Sequence, residues 1–230
     1  MHEPQPPVPN IPPSAEADES AWKIPLERRA DTPEKKELLA DLEKRARDIE
    51  QRLFVAYPRA TKNEMREASE RVLEDLITLA KDAGGLAKSY RNFNVGGVIL
   101  GIRPMRTTAD NPWKIIFNAN TKPADAPKWC AELYMMDELA TPENEITQVL
   151  AFVVVGKPQR DNDSGREQIT LTPCKLCRDR MLTMTLGEKP VITPDTEVIT
   201  ANARDTRYRK FQKVRDLHQF HGEQKYIEID

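Results

Sequence analysis

The residues of this chain best suited to chemistry lie in two short runs, Cys130-Ala131-Glu132 and Pro173-Cys174-Lys175-Leu176-Cys177, which between them hold all three cysteines of the sequence. A Cys-x-x-Cys pair at a helix start lets two thiolates converge on one ion, and a third thiolate from a neighbouring helix start adds another corner of a tetrahedral zinc site. A structural zinc site closes with four protein ligands. Here no fourth cysteine exists, and His2, His218 and His221 are all distant in sequence from both runs. The donor count therefore leaves one corner for water. Zinc lowers the pKa of its water toward neutrality and so provides hydroxide as a nucleophile. Glu132, two positions from Cys130, can sit beside that water and carry its proton. A Cys-x-x-Cys pair alone also reads as a redox pair; Cys130 and Glu132 upstream, and Pro173 directly before the pair, favour metal.

Both runs have to open helices, and the surrounding pattern supplies them. Residues 129–139 and 174–185 read as helices, while 94–102 (NVGGVILGI), 114–118, the β-branched run 146–155 and 196–200 read as strands. Residues 157–168 form a polar loop, and 205–218 is expected to be a terminal helix. Strands alternating with helices imply an α/β fold in which helices cover a sheet.

Two amphipathic helices precede this core. Thr32 caps the first, Pro33 suits its first turn, and Leu38, Leu39, Leu42, Ile49 and Leu53 follow at helical spacing up to about Tyr57-Pro58. The second opens on a Thr61/Glu64 capping box, carries Met65, Ala68, Val72, Leu76 and Leu79 on one face, and stops at Gly84-Gly85. The pair reads as a packing or oligomerisation element, with an arm that binds a partner or nucleic acid as the alternative. Residues 1–31, rich in Pro, Glu, Ser and Ala, read as a disordered tail with no site. The expected organisation is thus a tail (1–31), a helical extension (32–85), the catalytic domain (86–222) and a C-terminal tail (223–230).

Composition narrows the partners. Lys+Arg number 35 against Asp+Glu 37, so no overall field draws the chain to nucleic acid or to a membrane surface. The longest apolar stretch, 149–155, is far short of the ~20 residues that span a bilayer, and the Pro-rich start is not a secretory signal. An odd cysteine count rules out a complete disulfide framework. A cytoplasmic, reducing location is the expectation.

The two chemical runs, with Arg178 following Cys177, resemble the small cytidine deaminases, including the blasticidin-S-deaminase branch. Tyr90-Arg91-Asn92-Phe93-Asn94-Val95-Gly96-Gly97 is similar to the family's segment leading into its first strand, and Val214-Arg215-Asp216-Leu217 to its terminal helix ending. The likeness spans about residues 86–222. It implies a three-layer α-β-α cytidine-deaminase-like sheet, here with an N-terminal helical extension, and hydrolytic deamination of a cytosine-bearing nucleoside or nucleoside-like compound. By that resemblance Cys130, Cys174 and Cys177 bind Zn²⁺ and Glu132 shuttles protons. The Ala131 amide holds the pyrimidine O2, Phe93 packs on the base, and Asn118 and Asn120 face the sugar. A homo-oligomer, dimer or tetramer, is also implied.

The chain departs from that pattern at three places. Asn118-Ala119-Asn120 stands where nucleoside deaminases carry Asn-x-Glu, so the charge that grips a sugar hydroxyl is missing. Leu133 follows Glu132 where many three-cysteine members have Arg, as in the blasticidin-type enzymes, which leaves Arg178 and Lys175 as candidates to offset thiolate charge. The 157–168 loop lengthens the path between the two runs. The rival readings are a deaminase of single-stranded DNA or RNA and a non-catalytic partner protein. The first rests on Arg204, Arg207, Arg209, Lys210, Lys213 and Arg215 interleaved with Tyr208 and Phe211. Intact Glu132 argues against the second.

Overall fold

In the computed structural model of the chain, residues 23–89, 92–122, 128–158, 170–184 and 190–218 are described. The strands are β1 (Lys88–Ser89), β2 (Val95–Ile102), β3 (Trp113–Ala119), β4 (Thr121–Lys122), β5 (Gln148–Gly156), β6 (Glu197–Asn202) and β7 (Arg209–Lys213); the helices are α1 (Leu26–Arg29), α2 (Pro33–Ala56), α3 (Lys62–Ala83), α4 (Ala131–Leu139) and α5 (Lys175–Thr183). Five strands form one mixed sheet in the order β3-β2-β5-β6-β7, parallel only between β5 and β6, where α5 lies in the crossover. β1 and β4 make a small parallel pair beside it.

The alternation of side chains along each strand assigns the two faces. Val98 and Leu100 of β2, Ile115 and Phe117 of β3, and Val153 of β5 meet Leu42, Ile49 and Leu53 of α2 and Val72, Leu76 and Leu79 of α3. On the other face Ile99, Ile116, Phe152 and Val198 meet Leu133, Met135 and Met136 of α4 and Cys177 and Met181 of α5. β5 is apolar at nearly every position because it is covered on both faces. The architecture is three layers, α-β-α. The helices expected as an extension supply one whole layer and share its core with the sheet.

Local signals form as read. The Thr32 hydroxyl accepts from the Lys35 amide at 3.3 Å, and Thr61 and Glu64 cap each other reciprocally. Two glycines of β2 let helices approach from opposite faces: a Cβ on Gly96 would lie 1.9 Å from the Ala80 carbonyl oxygen of α3, and one on Gly97 would lie 2.4 Å from Met135 Cε of α4.

Two expectations are corrected. Residues 205–218 are not a helix: 209–213 is the edge strand β7, and Val214–His218 is a short 3-10 turn. Burial there has period two, with Lys210 and Gln212 turned inward and Phe211 outward. Polar residues at the inward positions hide the alternation. Residues 23–30 are not an unburied tail, since Arg29 and Ala30 are 0% and 2% exposed. Residues 1–22, Tyr90, Arg91, 123–127, 159–169, 185–189 and 219–230 lie outside the described residues, and with them most of the expected tails and of the 157–168 loop. No described helix is long and apolar enough to cross a membrane.

Candidate active site

Cys130 and Cys174 occupy the same structural position, the N-cap of α4 and of α5, with extended backbone (φ −73°, ψ 154° and φ −66°, ψ 162°). The Cys174 sulfur itself caps α5, accepting the Cys177 amide at 3.4 Å. Thiolates at helix N-termini sit where the partial positive charge of the helix favours them. Cys177, one turn further on, brings the third sulfur. The Cys130–Cys174 and Cys174–Cys177 Sγ separations are 3.7 and 3.0 Å, and all three sulfurs lie within 4.8 Å of one another. Zinc–sulfur bonds of ~2.3 Å at tetrahedral angles put sulfurs ~3.8 Å apart. The trio therefore fits zinc after a small widening of the Cys174–Cys177 pair.

Crowded sulfurs cannot all ionise without a cation between them. Hydrogen bonding from Cys130 and Cys177 pulls the Cys174 thiol down, while hydrogen bonding to Cys174 pushes Cys130 up to about 12 and hydrogen bonding to Cys130 pushes Cys177 up as well. Loading a metal would displace those protons.

Glu132 is 3% exposed, and burial pushes its carboxyl up to about 7; its own backbone amide and Lys128 pull the other way. A carboxyl poised there can take or give a proton at neutral pH. It faces a cavity whose wall also includes Phe93, Asn120, Lys128, Cys130 and Cys174, with Ala131 and Leu171 beneath.

The structure thus brings together Phe93, Asn120, Cys130, Ala131, Glu132 and the cysteine pair, but it treats the remaining predicted residues differently. Asn118 is turned away: its Oδ1 accepts from Arg29 Nη2 at 2.6 Å and its Nδ2 donates to Glu138, in a second cavity. Asn120 lines the first cavity but is 0% exposed, its Oδ1 accepting the Val95 amide at 2.7 Å and its Nδ2 donating to the Phe93 carbonyl at 2.9 Å. It braces the Phe93 segment. Lys175 points to solvent and pairs with Asp179 at 2.6 Å, and Arg178 donates to the Pro173 carbonyl at 2.7 Å, tying down the turn before Cys174. Neither contacts a sulfur.

Two features escape the sequence reading. Among the described residues, Lys128 favours the charged forms of both Glu132 and Cys174; its position two residues before Cys130 is the available signal. Arg29 has no local signal. It donates to the Ala119 carbonyl and to Asn118 at 2.6 Å each and lies 4.3 Å from the Tyr134 ring centroid. The Ile24 amide donates to the Tyr134 hydroxyl, and Lys23 pairs with Asp137 at 2.9 Å. Segment 23–30 therefore straps α4, which carries Glu132, to the end of β3.

The chain is similar in structure to cytidine deaminases. It aligns with a cytidine deaminase from Burkholderia pseudomallei at 24% identity and TM-score 0.43, over 63% of this chain and 94% of that one. It also aligns with a point-mutant cytidine deaminase from Mycobacterium tuberculosis at 18% identity and TM-score 0.40, over 63% of this chain and 90% of the other. No protein-family model matches the chain, and no curated protein matches it.

Proposed function

We propose that the chain is a zinc-dependent aminohydrolase that deaminates a cytosine-bearing nucleoside or nucleoside-like compound. The observation that carries this reading is the gathering of three sulfurs within 4.8 Å beside the buried Glu132 carboxyl, which burial pushes up to about 7. Cys130, Cys174 and Cys177 would hold zinc, which supplies the Lewis acidity that makes water acidic at neutral pH. In the overall change the water oxygen bonds to C4 of the base, the C4–amine bond breaks and ammonia leaves. Glu132 accepts one proton from the water and delivers it to the ring N3, then takes the second from the new C4 hydroxyl and gives it to the amine as that group departs, leaving the C4 carbonyl. Phe93 packs on the base and the Ala131 amide, in the first turn of α4, is free of helical pairing and available to the pyrimidine O2.

A direct test is ammonia release and the accompanying ultraviolet shift from cytidine and its analogues, with zinc-loaded wild-type protein and the Glu132→Gln variant side by side. Equal turnover by the two proteins would sink the mechanism. Pairing of the basic run weighs against a polynucleotide substrate: Arg207 is held by Asp205, Arg209 by Glu74, and Lys213 and Arg215 both by Asp195. Charges already neutralised release few counterions on binding a phosphate chain. A dimer or tetramer in a reducing, cytoplasmic setting goes with this reading, and light scattering on the eluting protein reads the assembly.

A further inference from the structure

We propose that the cavity selects a substrate carrying an anionic group, phosphate or carboxylate, on the side away from its amine, and that Lys128 makes the selection. This rests on the deaminase reading and names its substrate class. Recognition of a neutral sugar needs side-chain acceptors turned toward the ligand. The two residues placed to offer them do not: Asn118 is held by Arg29 and Glu138 outside the cavity, and both ends of Asn120 are engaged with Val95 and Phe93.

Apart from Thr172, which is itself engaged in an interaction, what the cavity offers is one cation. Among the described residues lining it, Lys128 and Glu132 are the only charged side chains apart from the cysteines. They sit at opposite depths: Glu132 is buried, whereas Lys128 is exposed at the rim, its Nζ 5.5 Å from the centroid of the Phe93 ring. Among the described residues, no hydrogen bond or ion pair ties Lys128 to Glu132, to a sulfur or to another carboxylate, and its ammonium lies over the Phe93 ring. A base stacked on Phe93 with its amine toward Glu132 puts its substituent at the rim, within reach of that ammonium. Lysine recognises phosphate or carboxylate there as a point charge with three donors.

The test separates binding from chemistry by using products. Calorimetry on zinc-loaded protein compares uridine with UMP, and kinetics compare cytidine, CMP, dCMP and a cytidine 5′-carboxylate. UMP is expected to bind about tenfold tighter than uridine, with the margin shrinking as salt is raised. Lys128→Gln should erase that margin and Lys128→Arg should keep it, and the kinetic preference should appear in KM. The CMP and carboxylate arms tell which anion is meant. Equal binding of uridine and UMP, or a Lys128→Gln protein weakened equally toward both, overturns the proposal and leaves Lys128 as a cation that only offsets sulfur charge. Ammonia release from cytidine and CMP with equal efficiency overturns it while upholding the deaminase reading. A Lys128-dependent UMP margin with no ammonia from any substrate upholds the anion site and sinks the deaminase reading.

Discussion

Two cavities lie along α4, one at its N-terminal end and one beside its C-terminal half, and they hold similar groups under opposite conditions. The second is the larger, about 470 Å³, and its polar residues are linked by hydrogen bonds and ion pairs, with Arg29 Nε left without a hydrogen-bond partner among the described residues. Arg29, Asn118 and Glu138 form one chain of hydrogen bonds, Lys23 and Arg180 share Asp137, and Lys114 pairs with Glu50. The first cavity is lined by the buried Glu132 carboxyl, which has no ion pair among the described residues, and by Cys130 and Cys174, whose sulfurs cluster with that of Cys177. Volume and charge do not distinguish structure from chemistry here. Both cavities hold a carboxyl that burial pushes up to about 7; the difference is that Glu138 accepts from Asn118 in a network with Arg29, whereas Glu132 lies in a cavity lined by the Cys130 and Cys174 side chains.

The strongest way to break this contrast is at Glu132. Glu132→Gln should lower ammonia release by roughly a thousandfold with zinc content unchanged, as follows from the proposed role in which the carboxyl moves protons and does not hold metal. Loss of zinc along with activity would show that it does. Cys177→Ser should reduce bound zinc, read by elemental analysis, far more than it disturbs the sheet. Retention of a full equivalent would remove this sulfur from the metal set.

The second cavity sharpens the comparison through stability. Arg29→Met leaves the Asn118 and Ala119 oxygens without their donors and should cost ~2–4 kcal/mol in urea unfolding; a cost below ~1 kcal/mol would make segment 23–30 peripheral. The smallest effect is a pH dependence at Glu138, whose carboxyl burial pushes up to about 7. A carboxyl with a raised folded pKa binds more protons folded than unfolded between about 4.5 and 7, so its destabilising contribution is absent below that window and grows through it. Glu138→Gln should therefore match wild type near pH 4 and exceed it by ~1–3 kcal/mol at pH 8. A gain that is the same at both pH values would show that this carboxyl does not titrate in the window.

Much of the molecule is legible in the sequence because its signals are local. Thr32, Pro33, Thr61 and Glu64 fix helix starts through bonds spanning three residues, and the β-branched run of β5 announces a buried strand. The edge strand β7 escapes the pattern because Lys210 and Gln212 occupy inward positions, so polarity no longer tracks exposure. Asn118 falls on the correct strand, but its partner Arg29 comes from 89 residues away. The far edge of β3 combines both kinds of partner: the Trp113 and Ala119 amides are capped locally by Asn111 and Asn118, whereas the Ile115 amide and the Ala119 carbonyl are capped by the remote Glu50 and Arg29. Such capping blunts an edge that could otherwise pair with another chain.

The sequence by itself determined the donor set, the carboxylate beside it, and the helices and strands that carry them, since these depend on residue type and short spacing. Only the tertiary structure decided which groups remain available to a ligand. It closed three sulfurs into one cluster, turned Asn118 away, engaged Asn120 within the wall and left Lys128 at the rim. Those outcomes depend on side chains meeting across the sheet from remote parts of the chain, where burial and pairing set the free energy of each polar group.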